Sequence, residues 1–284
     1  MKRNILITLA AAAVLLLAGT SAGCRKLEAR DNLNKGVQAF KNAKYADAVE
    51  FFKRAIELDP TYPTAKLYLA TAYMSQYIPG AESPENKAYA ENAIKYFNEV
   101  LQEDPKNITA IKSLASLAYQ QSSGAPTTEE KLARLDKAAE WYRRLIEVDP
   151  KEKEAYYSLG VITWAKFYPA WMAARNKLGM KPDEPGPFKD KKVREELRAK
   201  YWDLIEDGIK NLNKALEIDP EYDDAMAYLN LLYRERADLH DNVAEYKKDI
   251  DEADNWINKT LETRKIKAER QSKSTGGVVS EQQQ

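Results

Sequence analysis

Ala-Ile-Glu-Leu-Asp-Pro stands at residues 55–60 and returns three times. The later copies are Val-Leu-Gln-Glu-Asp-Pro at 100–105, Leu-Ile-Glu-Val-Asp-Pro at 145–150 and Ala-Leu-Glu-Ile-Asp-Pro at 215–220. Each copy reads as the tail of a helix closed by a proline, whose ring bars the residue before it from helical geometry. An alanine follows each proline by five residues: Ala65, Ala110, Ala155 and Ala225. A helix tail, a stop and a restart, repeated in one chain, predict an all-α array of stacked helix pairs. In such an array function is expected in a surface rather than in a catalytic motif.

Around these phrases the chain divides into five units. The first, about residues 29–62, holds Gly36, Tyr45, Ala48, Phe52, Ala55 and Pro60. The second, 63–107, carries Leu69, Ala70, Tyr73, Ala93, Phe97, Val100 and Pro105. The third, 108–152, carries Leu114, Ala115, Ala138, Tyr142, Leu145 and Pro150. Small residues are expected where paired helices cross, with larger ones filling the space to either side. The pattern resembles the tetratricopeptide repeat, which implies a right-handed helical solenoid with about five helix-turn-helix units. The prolines lie 45, 45 and 70 residues apart, against about 34 in the standard repeat. The second, third and fourth units are therefore lengthened. A loop at 78–82 with Ser83-Pro84 as helix cap, and Thr127 with Glu130 at capping-box spacing, account for part of the excess.

The fourth unit, 153–222, keeps Ala155, Tyr156, Leu159 and Gly160 in its first helix and Gly208, Leu212 and Ala215 in its second. Between them lies an aromatic-rich insertion, roughly 165–204, with a proline-rich middle at 181–187. From Asp190 onward, Val193, Leu197, Tyr201, Ile205, Ile209 and Leu212 mark one long amphipathic helix. The fifth unit, 223–265, lacks the Asp-Pro close. Its last helix carries Lys247, Lys248, Asp249, Asp251, Glu252 and Asp254, read as the polar outer face of a terminal cap. The solenoid is placed at 29–266. Residues 267–284 are read as a disordered polar tail, too poor in apolar side chains to fold.

The N-terminus has a different character. Lys2 and Arg3 precede an apolar run at residues 5–18, and small residues lead to Cys24, the layout of a secretory signal. The run of about 14 residues falls short of the roughly 20 that span a bilayer as a helix. Ser21-Ala22-Gly23-Cys24 resembles the bacterial lipoprotein processing box. That resemblance implies a signal peptide at 1–23, Cys24 as the lipid attachment residue and a short membrane tether at 24–28. Arg25, a residue other than aspartate after the cysteine, then implies sorting to the outer membrane rather than the inner, with the repeats on the periplasmic side. The alternatives are an ordinary signal cut after Gly23, leaving Cys24 a free thiol, and an uncleaved inner-membrane anchor.

Composition excludes several classes. The chain of 284 residues has 44 basic and 44 acidic side chains. No basic excess supports nucleic-acid binding. With one cysteine and one histidine, Cys24 and His240, neither an intrachain disulfide nor a Cys/His zinc site can form. No glycine-rich phosphate loop or nucleophile elbow appears. His240 is read as a linker or cap residue. No enzyme activity, metal or cofactor is expected. Asn107-Ile108-Thr109 matches a glycosylation acceptor pattern, which is uninformative if the chain is bacterial, as the lipoprotein resemblance implies.

In the tetratricopeptide family the first helix of each repeat lines the concave face. The column four residues after the small crossing residue reads Phe40, Met74, Tyr119, Trp164 and Arg234, with Lys41, Ser75, Gln120, Ala165 and Glu235 next to it. Phe40, Lys41, Met74, Tyr119, Gln120, Tyr157, Trp164 and Arg234 are the expected partner-binding residues. Aromatic and arginine side chains are the usual energetic anchors of such surfaces. The alternative is that they pack between neighbouring helices. Phe167, Tyr168 and Trp171 of the insertion are further candidates, either in a lid or small-molecule pocket or in a local core. Family members that clamp a terminal carboxylate use lysine and asparagine at positions occupied here by Leu33 and Val37, so that function is not expected. The resulting expectation is a lipid-anchored envelope scaffold or assembly factor that binds a protein or peptide. The rival is a substrate-binding lipoprotein or an accessory subunit of an envelope enzyme complex.

Overall fold

The computed structural model describes residues 23–181 and 184–280. The apolar run at 5–18 and most of the expected signal peptide lie outside the described residues. Among the described residues there are ten helices and no strand. They pair in chain order. Helix α1 (residues 23–41) precedes α2 (Tyr45–Leu58), and α3 (Pro63–Met74) precedes α4 (Pro84–Glu103). Then come α5 (Ile108–Ser123) with α6 (Thr128–Val148), α7 (Lys153–Lys177) with α8 (Lys191–Ile218), and α9 (Asp223–Ala237) with α10 (Val243–Ser280). The all-α helix-pair architecture expected from the sequence is the one observed. No helix among the described residues is long and apolar enough to cross a membrane.

The Asp-Pro phrase builds the same turn four times. The N–H groups of Asp59, Asp104, Asp149 and Asp219 donate to carbonyls four residues back at 2.8–2.9 Å, closing α2, α4, α6 and α8. Each aspartate then folds its own Oδ1 over the turn. It accepts from Thr61 N at 3.1 Å, Lys106 N at 3.2 Å, Lys151 N at 3.0 Å and Glu221 N at 3.0 Å. The proline cannot donate, so the aspartate satisfies the next free N–H instead, an Asx-turn fused to a helix stop. The backbone N–H three residues after each aspartate returns to its carbonyl at 3.1–3.2 Å. The next helix therefore starts four residues after the aspartate, at Pro63, Ile108, Lys153 and Asp223. Ala65, Ala110, Ala155 and Ala225 follow with no exposed surface.

The chain falls into two units, residues 1–138 and 139–284, divided within α6. In the first unit, Phe52, Leu69, Phe97, Ile111, Leu117 and Leu135 are fully enclosed. The α3–α4 loop is held by buried Asn86. Its side chain accepts from Ile78 N at 2.7 Å and donates to Ile78 O and Ala81 O at 2.8 and 2.9 Å. Ser83 Oγ caps α4 by accepting from Asn86 N at 3.1 Å, with Pro84 in the first turn. Thr127 Oγ1 accepts from Glu130 N at 3.1 Å at the start of α6.

In the second unit, α7 and α8 cross at reciprocal small residues. A Cβ added to Gly160 of α7 would overlap Leu212 of α8, and one added to Gly208 would lie 2.6 Å from Thr163 Cγ2. The insertion is not a separate module. It is three further turns on α7, continuous through Pro169, non-helical segments at 178–181 and 184–190, and a long N-terminal extension of α8. Asp190 caps that extension, its Oδ1 accepting from Val193 N at 3.1 Å. Phe167, Trp171, Met180, Phe188, Tyr201 and Ile205 form one buried cluster with Leu229, Leu232 and Leu239 of the following repeat.

Three expectations are corrected. The chain is already helical at Gly23, so residues 24–28 belong to α1 rather than to a separate tether, with Cys24 exposed. Residues 267–280, expected to be disordered, continue α10 to Ser280. The apolar count missed charge pairing there: Lys267 pairs with Asp223, and Arg270 Nη1 with Glu221 at 2.8 Å. Asp249, placed with the outer face of α10, instead points inward and is 3% exposed. It takes a two-pronged bond from Arg236, at 2.8 and 2.6 Å, and lies 2.8 Å from His240 Nε2.

Candidate binding surfaces

In the first unit, Phe40 near the end of α1 is half-buried, its ring 5.2 Å from that of Tyr45, and Lys41 is exposed. Met74 closes α3 and is half-buried. Tyr119 of α5 is half-buried, and burial pushes its phenol above the usual range. Gln120 beside it donates to Ser116 Oγ at 3.1 Å. These side chains are presented by the first helix of each pair.

In the second unit the aromatic side chains form a continuous ladder along α7 and α9. Tyr222 lies 5.0 Å from Tyr157, which lies 5.7 Å from Tyr228, which meets Trp164 edge-on at 5.7 Å. Trp164 stacks on Tyr168 at 4.8 Å, and Tyr168 on Trp171 at 5.9 Å. The Arg175 guanidinium covers Trp171 at 4.9 Å. Residues 157, 164, 168 and 171 share one face of α7 because their spacing follows the helical turn. Tyr157, Trp164, Tyr168, Tyr222 and Tyr228 all keep part of their surface exposed. Sequence reading placed Tyr157 and Trp164 here but missed Tyr222 and Tyr228. Only the folding of α9 beside α7 adds them.

The insertion candidates separate. Phe167 has no exposed surface and packs 5.2 Å from Tyr201, so it is core. Tyr168 belongs to the ladder. Trp171, 6% exposed, donates its indole N–H to Asp238 Oδ2 at 2.8 Å. Arg234 is exposed and pairs with Asp254 at 2.6 Å. Glu235, counted among the polar neighbours of the column, is instead 3% exposed. Its Oε1 accepts from Trp164 Nε1 at 2.8 Å, and its Oε2 is sealed without a hydrogen-bond partner. Burial raises its pKa to about 8, opposed by the Trp164 bond and reinforced by the charge of Asp238.

Residues 178–181 and 184–190 form a strap tied down by one arginine. Arg175, 2% exposed, donates Nη1 to Asp238 Oδ2 at 2.5 Å, Nε and Nη2 to Lys181 O at 3.0 and 2.6 Å, and Nη2 also to Glu184 O. Phe188 N donates to Asp238 O at 3.1 Å, and Gly186 N to the Tyr246 hydroxyl at 2.9 Å. Burial pushes the Asp238 carboxyl upward despite Arg175. His240, in the α9–α10 loop, lies edge-on to Trp202 at 5.3 Å and contacts Asp249, which suits a structural tie. Among the described residues no cluster of three or more His, Cys, Asp or Glu side chains is arranged to hold a metal ion.

Residues 33–108 match a tetratricopeptide-repeat family model, and residues 128–152 match a second. The chain carries tetratricopeptide repeats. Together the matches cover most of the first two repeats and the second helix of the third; residues 109–127 and the fourth repeat, with its inserted turns, lie outside them. No curated protein matches the chain. Solved structures similar to it include MamA, residues 41 to the end, from Desulfovibrio magneticus RS-1. The identity is 15%, covering 84% of this chain and 96% of that one, with a TM-score of 0.52. A double mutant of MamA RS-1 aligns at 16% identity over 84% of this chain and 96% of that one, with a TM-score of 0.53. At such identities the likeness establishes the repeat fold alone, and fold does not select a partner.

Proposed function

We propose that this repeat protein is a non-enzymatic scaffold or assembly factor. It binds a protein or peptide segment across the first helices of its repeats while held by lipid on Cys24 at the periplasmic side of a bacterial envelope membrane, the outer in preference to the inner. The ladder from Tyr222 to Trp171 carries the binding part of this reading. It offers half-exposed aromatic side chains on rigid helices, which give large contact area at low entropic cost. Phe40, Met74 and Tyr119 extend the same chemistry in the first unit. The anchoring part rests on the Ser21-Ala22-Gly23-Cys24 resemblance and on an exposed Cys24, the only cysteine in the chain.

Crosslinking and affinity capture from membranes test the binding reading. Tyr228→Ala and Tyr119→Ala should each deplete the captured partner at least several-fold while the helical circular dichroism stays unchanged. An undiminished partner in both variants would overturn it. The mass of the mature N-terminus tests the anchor: a diacylated or triacylated Cys24 is expected, and an intact Met1 would overturn it.

A further inference from the structure

Beside the ladder, the second unit contains a cavity of roughly 570 Å³ walled by Trp171, Arg175, the strap at 184–186, Arg234, Asp238, Tyr246 and Ile250. Its volume falls in the range of small-ligand sites, about 300–1,000 Å³. Part of its wall is the Arg175–Asp238 pair, with side chains 2% and 3% exposed. Arg175 uses four of its five N–H groups. Asp238 is half engaged: Oδ2 accepts from both Trp171 and Arg175, and no donor among the described residues reaches Oδ1. Oδ1 lies against Gly186, where a Cβ would overlap it, and the Tyr246 ring lies on the same side. The Tyr246 hydroxyl accepts from Gly186 N, and its own proton has no acceptor among the described residues. One vacant acceptor and one vacant donor thus flank Gly186 at the cavity wall.

We propose that this cavity binds a neutral aromatic group carrying one hydrogen-bond donor, a phenol or an indole. Its ring lies against Trp171, Ile250 and the Arg234 guanidinium, and its O–H or N–H donates to Asp238 Oδ1. Neutrality follows from pairing. Arg175 is matched by Asp238, Arg234 by Asp254 at 2.6 Å and Glu184 by Lys189 at 2.9 Å. A charged ligand would be desolvated with no counter-charge left for it. An aromatic body suits the Arg234 guanidinium, which favours π-faces over aliphatic ones; Trp171, covered by Tyr168 and Arg175, offers its edge. A donor is favoured because Asp238 Oδ1 faces the cavity rather than being sealed, and a hydrogen bond to a charged acceptor in such a pocket exceeds what an apolar group can offer. The phenol or indole comes either from a free small molecule or from a tyrosine or tryptophan of a bound partner. The cavity shares Trp171 with the ladder but is not lined by Tyr228, so the two readings are tested separately through Tyr228.

The test is a titration of the full chain followed through the Trp171 indole and Gly186 amide NMR resonances. Three probes are used: p-cresol, toluene and N-acetyltyrosinamide. Saturable shifts with p-cresol are expected, with toluene at least about tenfold weaker, the loss expected for one hydrogen bond to a charged group. N-acetyltyrosinamide binding as well as p-cresol assigns the site to a partner side chain; p-cresol alone assigns it to a free ligand. Ile250→Trp, which fills the cavity, should abolish the shifts. Arg234→Ala, at the exposed rim, should weaken p-cresol several-fold with an unchanged melting temperature and serves if Ile250→Trp fails to fold. Tyr228→Ala should leave p-cresol binding unchanged, so a failed partner capture and a failed cavity are read separately. The proposal is overturned by no saturable shift with p-cresol, by toluene binding equally well, or by undiminished binding in folded Ile250→Trp or Arg234→Ala.

Discussion

The indole N–H of Trp164 on α7 donates to the Glu235 carboxylate on α9 at 2.8 Å, and the second oxygen of that carboxylate is sealed without a partner. Two residues 71 positions apart are thereby locked at the centre of the aromatic ladder. Trp164 is therefore a structural tie as well as a surface group, and truncating it would confound binding with stability. Tyr228, which meets Trp164 edge-on at 5.7 Å, is the cleaner binding probe.

The same pair makes stability depend on pH. Glu235 has its pKa raised from 4.5 to about 8 in the folded protein, so the folded state holds a proton that the unfolded state releases. The stabilising contribution is complete below about pH 4.5 and is lost as pH rises toward 8, at up to about 1.4 kcal/mol per pH unit. Asp238, also raised by burial, acts in the same direction. Glu235→Gln keeps the acceptor for Trp164 and removes the titration. It should be more stable than the wild type at pH 8.5, by about 1 kcal/mol or more, and close to it at pH 5. Urea unfolding at the two pH values checks this; equal stability gaps at both would refute it.

Arg175 decides the strap. Replacing it by methionine leaves Asp238 buried without its counter-charge and three backbone acceptor bonds unmade. The expected loss is about 3–5 kcal/mol, the range for breaking one side of a buried pair. Tyr246→Phe removes only the hydroxyl that holds Gly186 N, with an expected loss of about 1 kcal/mol. Thermal melts of the two variants should rank in that order, and Arg175→Met should make the strap a preferred site for limited proteolysis. A melting temperature for Arg175→Met within a degree of wild type would contradict the assignment.

The reciprocal glycine crossing predicts a coupled pair. Gly160→Ala forces a methyl into Leu212 and should cost about 1–3 kcal/mol. Leu212→Ala, fully buried, should cost about 2–5 kcal/mol by opening a cavity. The double variant should cost less than the sum by at least about 0.5 kcal/mol, because the new methyl partly fills the space vacated. Strict additivity in denaturant unfolding would rule out the close contact.

The aspartate of the repeated phrase should matter beyond its proline. Asp104→Ala removes bonds from Lys106 N at 3.2 Å and Asn107 Nδ2 at 3.1 Å. A loss of about 1 kcal/mol is expected, with Asp104→Asn recovering most of it, because an amide oxygen also accepts from the N–H two residues on. No difference between alanine and asparagine at this position would show that the Asx-turn contributes nothing.

The helix pairs were legible before any coordinates because their signals are local. An aspartate that satisfies its own turn, a proline that stops a helix and a small residue at a crossing act within a few positions of themselves. The same locality explains the errors. Asp249 lies among charged neighbours on a polar helix, and only Arg236 and His240 folding against it show that it faces inward. The tail beyond 266 is poor in apolar side chains, and its helix is tied by Lys267 and Arg270 to acids more than forty residues away.

Spacing along the chain determined the all-α repeat architecture, the restart of a helix after each Asp-Pro phrase and the place where regularity fails. It also identified Trp164 and Trp171 as aromatic groups of interest. Tertiary structure alone decided that Phe167 is core, that Tyr222 and Tyr228 complete a ladder with Tyr157 and Trp164, and that Glu235 and Asp238 lose water. Burial of a charge depends on what folds over it. Here the covering groups, Trp164, Trp171, Arg175 and the strap, come from a helix pair some fifty to seventy residues earlier, and no periodicity in α9 carries that information.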